Sequence, residues 1–212
     1  MSATSLMESP NPPSHGKPTA VDGRNLRRAR NRAAVVDAMV ALIRGGNLQP
    51  SAVHIADRAG VSHRSIFRYF DDLDDLTRTS IDHAFIDALS VGRIENLGTG
   101  TLDARIASFA DARLDLYRYV DGPMQVARMK APAIPAIDES IGAIARASRK
   151  QIARHFAPEV GTRSAADAEL LIDAVLIASS YDAFSVHLRL LESSPERVRA
   201  SFVYALSSLL AI

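Results

Sequence analysis

Residues 52–70, AVHIADRAGVSHRSIFRYF, constrain the fold more than any other stretch of this chain. Ile55, Ala56 and Ala59 give a short first helix an apolar face, Gly60 supplies a left-handed turn, and Ser62 stands where it caps a second helix. On that second helix Ile66 and Phe70 lie four residues apart and share a face, which leaves His63, Arg64, Ser65 and Arg68 pointing elsewhere. The pattern predicts a helix-turn-helix. Residues 26–44 supply its third wall through Ala29, Ala33, Val36, Val40 and Ile43, at helical spacings of three and four.

Proline placement organises the rest. Four of the ten prolines fall within the first 18 residues among Ser, Thr, Asn and Gly, so residues 1–23 are expected to form a disordered tail. The other six lie between helical-period segments or at their starts. Helices are predicted at 26–44, 52–59, 63–70, 74–96, 102–120, 123–130, 134–156, 165–190 and 195–211, with no convincing strand. The fold class is therefore all-α, with a three-helix domain over residues 24–73 and a larger helical body over residues 74–212. The net charge of +1 conceals an asymmetry. Residues 1–70 carry ten of the 25 basic side chains and only four of the 24 acidic ones, so a basic end is joined to an acidic body. That arrangement suits a polyanion-binding module attached to something else. Absence of cysteine excludes disulfides, thiolate metal sites and a cysteine nucleophile. The most apolar stretch, 170–179, is interrupted by Asp173 and is shorter than the roughly 18 residues of a membrane span. No apolar signal core opens the chain, and a soluble cytoplasmic protein is expected.

The segment IADRAGVSHRSIFRYF followed by DDLDDL resembles the signature of the TetR (tetracycline-repressor-like) family of transcriptional regulators. The resemblance is strong over residues 27–80; beyond them it rests on length, helix count and helical character. It implies a homodimer, formed through helices 165–190 and 195–211, that reads an inverted-repeat operator in double-stranded DNA. It also implies a body that binds an unidentified small-molecule effector and releases repression. The DNA contacts it implies fall on Arg24, Arg27, Arg28, Ser51, Ser62, His63, Arg64, Ser65, Phe67, Arg68 and Tyr69. Arg64 and Arg68 are the best suited to base edges or phosphates, because a guanidinium bonds two acceptors at once. The chain departs from the family pattern at Phe67, where members usually carry Tyr, at Ser65 for Thr, and at Leu73 for Lys. Those changes remove a donor and a cation and shift the expected phosphate contacts toward the basic arm of Arg24, Arg27 and Arg28. The aspartates at 71, 72, 74 and 75 suit the start of a long helix, whereas Leu76 occupies the place of a calcium loop's glycine.

In the body, Leu102, Ile106, Phe109, Leu116 and Val120 share one face of helix 102–120, and Arg113 falls inside that face beside Phe109, Ala110 and Tyr117. A charge so placed is paired, hydrated or used by a ligand. Both an effector anchor and an internal ion pair fit. Asp182, among Leu171, Val175, Ala178 and Val186, is the expected partner. Asp173, Ser180 and His187 recur every seven residues along another face. The candidate effector residues are Phe109, Arg113, Tyr117, Asp182 and His187.

Nothing points to catalysis, a metal or a cofactor. The six histidines are scattered, and the chain lacks a His-Glu-x-x-His pair, a Gly-x-Ser-x-Gly elbow and glycine-rich phosphate or dinucleotide loops. His83 and Asp87, one turn apart, read as a surface pair. Two other readings remain at this stage: a nonspecific architectural DNA-binding protein, and a ligand-binding or catalytic body whose helix-turn-helix is vestigial.

Overall fold

The structure, a computed structural model, describes residues 20–211. Among them are ten helices and no strand: α1 Ala20–Arg44, α2 Ala52–Ala59, α3 His63–Tyr69, α4 Leu73–Val91, α5 Leu102–Lys130, α6 Pro135–His155, α7 Ala157–Val160, α8 Ala165–Ala178, α9 Tyr181–Arg189 and α10 Pro195–Leu210. The tail expected over residues 1–23 lies outside the described residues as far as 19, and Ala20 to Gly23 already belong to α1.

Local chemistry sets most boundaries. Ser51, Ser62, Asp72, Thr101, Ser164, Ser180 and Ser194 each stand in extended conformation before a helix and accept from a backbone N–H three residues on. Pro135 and Pro195 open α6 and α10, where a missing N–H costs least.

The helix expected over 26–44 begins at Ala20, the one expected over 74–96 ends at Val91, and the short α7 was not expected; two further differences change how the helices are divided. Helices 102–120 and 123–130 are one helix, α5, which runs through Pro123. A proline inside a helix costs about 3 kcal/mol, but Val120, Met124, Val126 and Ala127 are buried on both sides of it and hold the helix together. Helix 165–190, expected to be continuous, is instead divided. The Ser179 hydroxyl donates to the Val175 carbonyl at 2.6 Å, and Ser180 caps the new helix α9 by accepting from the Ala183 N–H at 3.1 Å. Over its full span this segment has an 18-residue window of mean hydropathy 1.3, apolar enough to cross a membrane by length and composition. Its first helix ends after 14 residues, and Ile172, Val175, Tyr181 and Phe184 pack inside the protein.

The core is continuous across the expected domain boundary. One apolar cluster joins Val35, Met39 and Ile43 of α1 and Ile55, Ile66 and Phe70 of the helix-turn-helix to Leu76, Phe85, Tyr117, Met124 and Phe202 of the body. A second cluster of Ile106, Phe109, Ile152, Phe156, Ile172, Val175, Leu206 and Leu210 fills the far end. Only the second half of α1 joins the core: Val36, Val40 and Ile43 are buried as expected, but Ala29 and Ala33 are exposed. The arginine-rich first half therefore runs along the surface. Asp72 and Asp75 act locally, since Asp72 caps α4 and Asp75 pairs with Arg78 at 2.8 Å, whereas Asp74 reaches across to Lys130 of α5 at 2.8 Å. His83 sits 3.6 Å from Asp87 and 3.3 Å from Asp37, a surface link between α4 and α1.

Candidate nucleic-acid interface and internal cavity

Helices α2 and α3 form a rigid pair because each turn residue has a defined task. Gly60 adopts φ 66° and ψ 32°, and the Val61 N–H bonds the Ala56 carbonyl at 3.1 Å, which reverses the chain directly after α2. Ile55 and Ala56 from one helix and Ile66, Tyr69 and Phe70 from the next are buried against α1. What α3 turns outward is then decided by its 3.6-residue period. His63, Arg64, Phe67 and Arg68 are exposed, and a shallow depression is lined by Ser62, Arg64, Ser65, Phe67 and Arg68.

The candidate DNA-contacting residues divide by role. Ser51 and Ser62 are caps whose oxygens accept from the N–H groups of His54 and Ser65, each at 3.3 Å, and Ser62 also exchanges a 2.8 Å bond with the Ser65 hydroxyl. Phe67 is 47% exposed and meets the His63 ring edge to face with centroids 5.2 Å apart. Tyr69 differs from the others because it is buried. Its hydroxyl accepts from Asn31 Nδ2 at 3.3 Å and from Arg68 Nη2 at 2.8 Å, so it holds the Arg68 guanidinium of α3 beside α1. Those two donors, with the charges of Arg68 and Arg28, hold the phenol below its ordinary pKa. Arg28 thus lies near the same hydroxyl, and the exposed Arg24, Arg27 and Arg28 begin a basic strip that leads along α1 to α3. Arg32, over the Phe70 ring at 4.6 Å, extends the strip; it was not among the expected residues, although its spacing of four from Arg28 was visible.

In the body, a cavity of about 420 Å³ opens between α4, α5 and α6. Of the candidate effector residues it brings together Arg113 and Tyr117, and Phe109 lies behind them beneath the Arg113 guanidinium, 4.6 Å from its ring centre. Asp182 and His187 are elsewhere. Asp182 is 61% exposed and pairs with Arg128 at 2.7 Å, so the expected Arg113–Asp182 ion pair does not form; the break at Ser179–Ser180 turns α9 and carries Asp182 outward. The Tyr117 hydroxyl donates to the Ser179 carbonyl freed by that break, at 2.7 Å, and burial raises its pKa. His187 is held between the Ser193 and Ser201 hydroxyls at 3.1 and 2.9 Å. The seven-residue stripe also dissolves, since Asp173 pairs with Arg149 at 2.7 Å and Ser180 caps α9. Sequence reasoning missed Arg93, in the connection after α4, and the walls that α4 and α6 contribute, among them Phe85, Leu89 and Ile144. Their apolar spacing was visible, but which helices would face one another was not.

A three-helix unit carrying a helix-turn-helix, mounted on a helical body with its own cavity, defines an all-α helix-turn-helix protein with a ligand-sized chamber. No family model and no curated protein matches the chain. Solved structures do. A TetR-family transcriptional regulator from Streptomyces coelicolor superposes with a TM-score of 0.71 at 17% identity, covering 84% of this chain and 79% of its own. A transcriptional regulator from Rhodococcus sp. Rha1 gives 0.65 at 18% identity over 86% and 95% of the two chains. The multidrug-binding protein EbrR, in complex with imidazole, gives 0.58 at 16% identity over 83% and 92%. The chain has the fold of the TetR-family transcriptional regulators.

Proposed function

We propose that this protein is a homodimeric, sequence-specific DNA-binding regulator, a cytoplasmic repressor released when a small molecule enters the body cavity. The observation that carries the reading is the outer surface of α3, where Arg64 and Arg68 stand exposed on a helix fixed by its core face and its turn, beside the arginines of α1. A short helix reads few bases, and two of them about 34 Å apart read a palindrome. A second copy is supported by the apolar surface that α8 and α10 leave uncovered, where Leu170, Ile177 and Tyr204 are 67%, 71% and 77% exposed. EbrR, which shares the fold, is a multidrug-binding protein, and this supports a ligand-binding body.

The route from cavity to DNA is α5. Leu116, Tyr117, Val120 and Met124 line the cavity, while the same helix meets the C-terminal end of α1 at Gly122 and Tyr119. A Cβ at Gly122 would lie 2.6 Å from the Ile43 carbonyl oxygen, and Arg44 lies over the Tyr119 ring at 4.0 Å. A ligand that moves α5 therefore moves α1, and it shifts the DNA-binding equilibrium by as much as it prefers one arrangement over the other.

Selection of bound duplexes from a random pool at near-physiological salt tests the proposal. An inverted repeat is expected to be enriched, and Arg64→Ala with Arg68→Ala to abolish enrichment. Replacing Arg24, Arg27 and Arg28 with Ala is expected to flatten the salt dependence by about 0.9 in the log–log slope for each phosphate left without its cation. Binding without enrichment overturns the proposal in favour of an architectural DNA-binding protein. No binding overturns it in favour of a body with a vestigial helix-turn-helix.

A further inference from the structure

The cavity between α4, α5 and α6 lies within the roughly 300–1,000 Å³ range of small-molecule sites, and its chemistry is lopsided. Most of its wall is apolar, and no carboxylate lines it. The charged groups that do are Arg113 and Arg93, the latter exposed. Arg113 is 4% exposed, and its Nη2 has no hydrogen-bond partner. No acid among the described residues compensates its charge, and burial pulls its pKa below the ordinary guanidinium value. A guanidinium nonetheless stays charged inside proteins, and an unpaired buried charge is costly. The same helix shows the alternative: Arg105, also buried, is paired with Glu159. Arg113 has only the face of Phe109 beneath it, a contact that orients the guanidinium without neutralising it.

We propose that this cavity binds a monocarboxylate with an apolar body, the carboxylate on Arg113 and the hydrocarbon or aromatic portion against Leu89, Leu116, Met124 and Ile144. A neutral ligand leaves the buried cation unanswered, and a cationic one repels it. A polyphosphorylated ligand brings more negative charge than one buried guanidinium matches. The Tyr117 hydroxyl is already engaged by the Ser179 carbonyl, the Gln151 amide donates to the Gly92 carbonyl and Arg93 is exposed to solvent, so Arg113 is the buried charge left to select the headgroup. The ligand's role as an effector rests on the DNA-binding reading above; its chemistry rests on the cavity alone.

The test compares acids with their own amides on the full chain: octanoate against octanamide and 1-naphthoate against 1-naphthamide, by calorimetric titration. At least one acid is expected to bind about ten- to a hundredfold tighter than its amide, the range for a charge-assisted hydrogen bond. In R113Q acid and amide are expected to bind alike. Equal binding of acid and amide by the unaltered protein overturns the proposal, as does the absence of binding by both acids. An acid preference that survives in R113Q also overturns it. The comparison on the unaltered chain decides even where R113Q fails to fold, and R113M, which removes the charge while keeping a long side chain, serves as the second variant. Capture of the selected duplex is measured on the same samples. Retained DNA binding without acid preference removes the carboxylate and leaves the regulator, whereas acid preference without DNA binding does the reverse.

Discussion

Two turns apart on α5 stand two buried arginines in opposite situations. Arg105 is closed by Glu159 and sits beside His155, whose Nδ1 accepts from the Gly98 N–H at 3.0 Å and whose Nε2 lies 2.9 Å from the Arg105 carbonyl. The charge there is matched within the protein, although Arg105 Nε and Glu159 Oε2 have no hydrogen-bond partner. Arg113 instead looks into a space the protein does not fill. The first site is an internal ion pair that ties α5 to α7 next to the second apolar cluster; the second is a buried charge left unpaired at a cavity wall. Proteins retain a costly buried charge where it is matched, or where function uses it.

The largest effect expected from this contrast is at Glu159. Replacing it with Ala leaves Arg105 buried without its partner, and a loss of about 3–5 kcal/mol in unfolding free energy is expected from denaturant titration. Arg113→Met is expected to behave in the opposite way, leaving stability unchanged or raising it by about 0–2 kcal/mol, because it removes an unpaired charge and gives up only a ring contact. Equal destabilisation by the two variants would show that Arg113 has a structural partner and would break the contrast.

A smaller effect follows from His155. Burial, the largest cause, holds its imidazole below the ordinary histidine value, and the charges of Arg105 and Arg113 act in the same direction. The folded state therefore binds fewer protons at this site than the unfolded chain. The stability it contributes is complete above the unfolded value of about 6.5 and is lost as pH falls through the lower folded value. Melting temperature is expected to fall between pH 7 and pH 5, and His155→Asn to flatten that dependence. A slope unchanged in the variant would assign the acid sensitivity to other groups.

The two ends of the molecule were unequally legible. In the helix-turn-helix the Gly60 turn, the Ser62 cap and the outward placing of His63, Arg64 and Arg68 depend on neighbours a few residues away; Ser65, expected outward with them, is half-buried beside its cap, and Ser51, expected as a DNA contact, caps α2. Tyr69, placed among the DNA contacts by resemblance, is drawn inward by Asn31, 38 residues away. In the body, Arg113 was recognisable as a charge on an apolar face, but its surroundings were not. The Ser179–Ser180 break was hidden because apolar residues at helical spacing, Val175, Ala178 and Val186, continue across it, and only with α8 and α9 separated does Asp182 find Arg128. The Asp121 carboxylate, bound by Tyr181 at 2.7 Å and by Arg189 at 2.6 Å, gave no sequence signal because both partners lie at least 60 residues away.

By itself the amino-acid sequence determined the all-helical class, the Gly60 turn and Ser62 cap of the helix-turn-helix, and the face of α3 that carries His63, Arg64 and Arg68, since these follow from a 3.6-residue period and from side chains that bond their own backbone. It also determined that Arg113 would be buried. Only the tertiary structure decided that Glu159, 54 residues from Arg105, closes one arginine while α4 and α6 leave the other facing a cavity. The reason is physical: periodicity records which face of a helix is buried, whereas the partner of a buried charge depends on how helices distant in sequence cross.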